Sequence, residues 1–171
     1  QNPIEHEGTY PLPEAQLERF IIKEKMGYPE HEEEVEVLSR AQLQHPIENI
    51  QRVVEIEDIL KLQKEVQSIF VNDSMKEYIV LLSNLTRKHD STYLGVSPRG
   101  SIALMKASQA YALMSGRDYV VPDDIQYLAP FVFAHRIIMK PEARYSGMST
   151  EDIVYDIIAN TSVPIQRLVR K

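Results

Sequence analysis

One strand-like run, Phe-Ile-Ile-Lys-Glu-Lys-Met at 20–26, stands ahead of a chain otherwise patterned for helices. That imbalance constrains the fold more than any other feature. The donors and acceptors of a lone strand need a neighbour, and a single strand is not stable by itself. Such a segment is expected to be poorly paired, or to pair with another copy along its open apolar edge. Gly27-Tyr28-Pro29 closes the run.

After Pro29 the apolar residues recur at helical spacing. Residues 30–41 begin with Glu30, Glu32, Glu33 and Glu34, which suits the positive end of a helix dipole, and continue with Val35, Leu38 and Ala41. Beyond a loop containing Pro46, a helix near 57–69 sets Ile59, Leu60, Leu62, Val66 and Ile69 mostly on one side. "VNDSMKEY" reads as a turn and cap. The helix that follows, about 74–89, carries Met75, Tyr78, Ile79, Leu82 and Leu85, the clearest amphipathic signal in the chain. Ser97 reads as an N-cap and Pro98 as a first helical residue. The apolar face then runs through Ile102, Leu104, Met105, Ala107, Leu113 and Met114 to Gly116, with Met105, Met114 and Met139 fitting core positions. Pro122 opens another helix with Asp123 and Asp124 in its first turn. Val121 holds the cap position, where Ser or Thr would contribute about 1 kcal/mol. "RIIMK" at 136–140 reads as a short β-like run, and a capped helix is expected over about 150–160. The fold class is mainly α: a helical domain from about residue 30, preceded by a short remnant of something else.

With 171 residues and 43% apolar residues the chain has material for one domain, or one domain and a piece of another. A net charge of −6 argues against a nucleic-acid surface. The absence of cysteine rules out disulfides and thiolate zinc sites and suits a reducing compartment. The apolar runs are too short to span a bilayer as a helix. His31 is followed at i+4 by Val35, so the His-Glu pairs form no H-E-x-x-H zinc motif. His135, after an apolar stretch, reads as a boundary residue and not as a base.

Three polar positions invite a chemical reading. Asn2 precedes Pro3 where a strand would end, Arg19 follows a short helical run, and Arg99 lies in the first turn of a well-started helix. A helix N-terminus favours anions, and an arginine there adds a charge-assisted fork for phosphate. Taken singly, each arginine is also the ordinary solvated or salt-bridged residue of any surface.

Taken together, "QNPIEHEGTYPLPEAQLERF" and "SPRGSIALMKASQAYALMSGRDYVVPDDIQYLAPFVFAHR" resemble the C-terminal half of a MoxR-type AAA+ ATPase, over residues 1 to about 165. The resemblance implies a division into 1–29, the end of an α/β P-loop core with its last strand at 20–26, and 30–171, a helical lid. It implies Asn2 as sensor 1, Arg19 as arginine finger, and Arg99 of Ser-Pro-Arg as the sensor-2 residue. Tyr28, at the hinge, is a candidate for the adenine pocket, and equally a plain turn residue. The family usually has Thr where Val121 stands. The implied cofactors are ATP and Mg²⁺. The implied setting is a cytoplasmic homo-oligomeric ring, commonly a hexamer. Its chaperone-like remodelling or activation serves partners that include proteins with von Willebrand A-type domains, with no nucleic acid and no membrane span. The chain holds no G-x-x-x-x-G-K-[ST] and no strand ending in an acidic pair for Mg²⁺. The nucleotide-binding half is therefore expected upstream, and this chain by itself is expected neither to bind ATP tightly nor to hydrolyse it. The alternative is a stand-alone helical protein-interaction module derived from such a lid.

Overall fold

The computed structural model describes residues 12–43, 47 and 50–164. They fall into two compact units, one formed by the N-terminal segment to Lys23 with Glu65 onward, the other by Glu24–Lys64.

The first unit starts with a single helical turn, α1 (Glu14–Leu17), and its principal helices are α4 (Asp73–Lys88), α5 (Pro98–Met114), α6 (Pro122–Phe133) and α8 (Thr150–Ala159). The α4 stripe read from sequence is the stripe that packs. Met75, Tyr78, Ile79 and Leu82 are buried and Leu85 lies against them. They meet Leu104 of α5, Ile125, Ala129 and Phe133 of α6, and Ile153 and Ile157 of α8. Asn72 caps α4, its side chain accepting from the Ser74 N–H at 3.1 Å. Ser149 and Asp152 form a reciprocal capping box on α8.

Two methionine and isoleucine assignments on α5 are corrected. Ile102 is 52% exposed and Met114 is 79% exposed. The buried set is Gly100, Ala103, Leu104, Ser108 and Ala112, a stripe of mostly small residues at i, i+3, i+4, i+8 and i+12. Small residues let α5 lie close to α4 and α6, and the larger side chains on its other faces stay outside. Met105, Ala107 and Leu113 flank the stripe, partly buried.

A two-stranded antiparallel sheet, which the sequence showed only in part, closes one end. β1 (Thr92–Leu94) pairs with β2 (Ile138–Met139) in the register Thr92 with Met139 and Leu94 with Ile138. The β-like run thus begins at Ile138. Arg136 belongs instead to a 3₁₀ turn, Ala134–Arg136, that continues α6. A short helix, α7 (Pro141–Tyr145), follows β2. An isolated parallel bridge joins Phe70 to Tyr119, with Val120 N–H donating to Phe70 O at 3.0 Å.

The stretch at 20–26 is irregular and forms no strand among the described residues. The strand read there from sequence is thus not formed: none of the described strands lies beside it to complete a ladder. Lys23 N–H of this stretch donates to Phe131 O at 3.0 Å.

The second unit contains α2 (His31–Leu43) and most of α3 (Ile56–Ser68). Glu30 and Glu33 start α2, the Glu33 carboxylate accepting from Glu30 N–H at 3.1 Å. Asp58 does the same for Glu55 N–H at the start of α3. Every residue of 24–64 whose exposure is described is exposed, Val35, Leu38, Ile59, Leu60 and Leu62 among them.

Candidate functional site

The start of α5 carries Arg99, and its position is set by the end of α4. Both polar groups of the Val96 peptide are held there. Thr86 Oγ1 accepts from Val96 N–H at 3.0 Å and itself donates to Ser83 O at 2.6 Å. Arg87 Nε donates to Val96 O at 2.7 Å. Gly95 makes the approach possible: a Cβ there would lie 2.6 Å from Arg87 Cα and 2.7 Å from the Thr86 carbonyl carbon. These are backbone atoms, which cannot rotate away. Val96 is fully buried, so α5 leaves this anchor in a fixed direction.

Ser97 sits at the N-cap but does not cap with its side chain. Its hydroxyl donates to the Glu18 carboxylate, across from the α1 turn. The expected cap is thus traded for a tertiary contact. Pro98 at the first helical position lacks an N–H, which lowers the demand for a cap. Arg99 is exposed, one residue into the helix.

Arg19 follows α1 in a turn closed by Arg19 N–H to Gln16 O and Phe20 N–H to Leu17 O, each 3.1 Å. Its side chain is exposed. The peptide groups around it are held from below by Arg136, which is only 8% exposed. Nη2 of Arg136 donates to Glu18 O at 3.1 Å and to Phe20 O; Nη1 donates to Ile21 O at 3.1 Å and to Val132 O. Gly100 makes room for it, since a Cβ there would meet Arg136 Cδ at 3.0 Å and Val96 Cγ1 at 2.4 Å. Burial pulls the Arg136 pKa down, the Glu18 carboxylate opposes this, and the Arg99 charge adds to it. An arginine stays protonated under such pressure.

His135 Nε2 lies 3.1 Å from Phe20 O and 2.8 Å from Arg136 Nη1. Burial first, and the Arg136 charge second, hold its pKa below the ordinary 6.5. A neutral imidazole avoids a second cation against the guanidinium. His135 is partly buried, a boundary residue as its sequence context implied.

The structure thus brings Arg19 and Arg99 to one end of the bundle through Glu18, Ser97 and Arg136. Tyr28 belongs to the other unit and is 91% exposed. Asn2 lies outside the described residues. Sequence reasoning missed Glu18, Thr86, Gly95 and Arg136. The legible signals were a glycine two residues before the serine at the N-cap position, and an arginine separated by one residue from the end of an apolar run.

Val121 lacks a side-chain acceptor, yet α6 is half capped. Asp124 accepts from Val121 N–H at 2.9 Å and receives both Arg117 Nη groups, at 2.8 and 2.5 Å.

Comparison with known proteins places this geometry in a class. Residues 84–157 match the family described as the AAA lid domain, and residues 1–22 match the ATPase family associated with various cellular activities (AAA). A Bacillus subtilis protein named "Uncharacterized protein YeaC" is 58% identical over 98% of this chain and 52% of its own length. Chaperone MoxR1 of Mycobacterium tuberculosis is 35% identical over 96% of this chain and 45% of its own. The crystal structure of a Cytophaga hutchinsonii protein assigned to the ATPases superposes with a TM-score of 0.88 at 34% identity, covering 96% of this chain and 53% of that one. The chain belongs to the MoxR-type AAA+ ATPases. It spans about half the length of the curated relatives it matches.

Proposed function

We propose that this chain supplies the sensing edge and lid of an ATP-hydrolysing MoxR-type motor, with the phosphate-cradling half contributed by sequence outside it. The observation that carries the reading is Arg99. It is an exposed guanidinium on the first turn of α5, aimed by the Thr86–Val96–Arg87 anchor. A helix start and an arginine both favour an anion, so the residues present fit the phosphate end of ATP. They do not fit Mg²⁺. Among the described residues no group of three or more His, Asp or Glu stands ready for a metal.

In this reading Arg99, as sensor 2, reaches the γ-phosphate of its own subunit and moves the lid with nucleotide state. Arg19, as arginine finger, crosses to the neighbouring subunit of a ring, commonly a hexamer, and neutralises charge that builds on the transferring phosphoryl group. Such fingers contribute about 10³–10⁵ in rate in other systems. Asn2, as sensor 1, orients the attacking water, and Tyr28 borders the adenine. ATP and Mg²⁺ as cofactors of the intact motor belong to the same family-based reading. The residues of this chain bind, orient and sense. The division at residues 29 and 30, a cytoplasmic setting, chaperone-like remodelling and partners with von Willebrand A-type domains belong to the same reading. Its support is family membership and the name of the chaperone relative.

Turnover by the full-length ring tests it. Arg19→Ala and Arg99→Ala should each lower ATP hydrolysis by two orders of magnitude or more, that is at least about 100-fold. Unchanged turnover in either variant removes that residue's role. Calorimetry on residues 1–171 alone should show no saturable micromolar ATP binding.

A further inference from the structure

We propose that Arg136 is a positioning residue that ties the Arg19 turn to the start of α5, so that movement of the nucleotide-sensing arginine also moves the arginine offered to the neighbouring subunit. This rests on the roles given above to Arg19 and Arg99.

The observations are geometric. One buried guanidinium takes the carbonyls of Glu18, Phe20 and Ile21, so it grips the backbone on both sides of Arg19. Its remaining reach goes to Val132 O, on the last turn of α6. Its stem lies against Gly100, one residue beyond Arg99, where any Cβ would crowd it. A second strap, Ser97 hydroxyl to Glu18 carboxylate, joins the same two segments directly. The rigid fork of arginine suits several carbonyls at fixed angles; the single ammonium of lysine cannot span them. The result is a turn whose backbone is fixed to the lid while the Arg19 side chain remains exposed. Displacing the start of α5 therefore displaces the Arg19 turn with it. A finger that completes the neighbour's site is thereby linked to the state of its own subunit's site.

The test uses full-length rings and four variants: Arg19→Ala, Arg136→Gln, Arg136→Lys and Ser97→Ala. Arg136→Gln should lower kcat at least about tenfold while nucleotide Kd and ring mass stay within about twofold, because the grip acts on the finger and not on nucleotide binding. Arg136→Lys should fail to rescue. In the Arg19→Ala background, Arg136→Gln should cost less than about twofold more, since there is no finger left to position. Ser97→Ala removes only one strap. It should give a smaller loss of kcat that also vanishes in the Arg19→Ala background, and it serves if Arg136→Gln does not fold. Additive losses with Arg19→Ala, or full turnover in both Arg136→Gln and Ser97→Ala, overturn the proposal while the finger role stands. Unchanged turnover in Arg19→Ala overturns both.

Discussion

Gly95 is the residue at which the site is most exposed to a single change. A methyl group there would lie 2.6 Å from both the N and the Cα of Arg87. Gly95→Ala is therefore expected to separate the α4 end from the Val96 peptide and cost about 2–4 kcal/mol, read from urea unfolding of this chain. Thr86→Val tests the other half of the anchor. It leaves the buried Val96 N–H without its acceptor and should cost about 1–3 kcal/mol. His135 adds a pH dependence with a definite sign. Its folded pKa lies below the ordinary 6.5, so the unfolded chain takes up the proton first as pH falls. Its contribution is complete above the unfolded pKa and is lost as pH falls from there through the folded value. Arg136 and Lys23 are the cations that act on it. Stability should decline as pH falls below about 6.5, and His135→Gln should flatten that decline.

The helices show where one-dimensional pattern suffices. The Met75, Tyr78, Ile79, Leu82 stripe packs as read, because a 3.6-residue period fixes one face whatever it meets. On α5 the same reasoning chose large residues, and the fold buried small ones, since helix–helix distance decides which face is inside. Capping behaves similarly. The Ser149–Asp152 box is local and legible; the diversion of Ser97 to Glu18 joins residues 79 positions apart and is not. Ser149→Ala should cost about 1 kcal/mol in thermal or urea unfolding. Val121→Thr, which gives α6 a side-chain acceptor, should raise stability by about 0.5–1 kcal/mol.

For the whole molecule the contrast between the units governs behaviour. The core of the first unit is closed by four helices, while residues 24–64 hold no buried side chain among those described. Local opening needs little energy where few apolar contacts are lost. Limited proteolysis of this chain should cut within 24–64 first and leave about 69–160 protected; early cuts within α4 to α6 would contradict this. The sequence by itself determined the helical class, the stripe of α4, the capped start of α8, and the two arginines worth testing, because period, cap chemistry and motif spacing are local properties. Only the tertiary structure decided that 20–26 pairs with no strand among the described residues, that 92–94 joins 138–139, and that Arg136 holds the turn around Arg19 beside Arg99. Those outcomes depend on which distant backbone groups meet, and a donor's partner more than a hundred residues away leaves no trace in the residues around it.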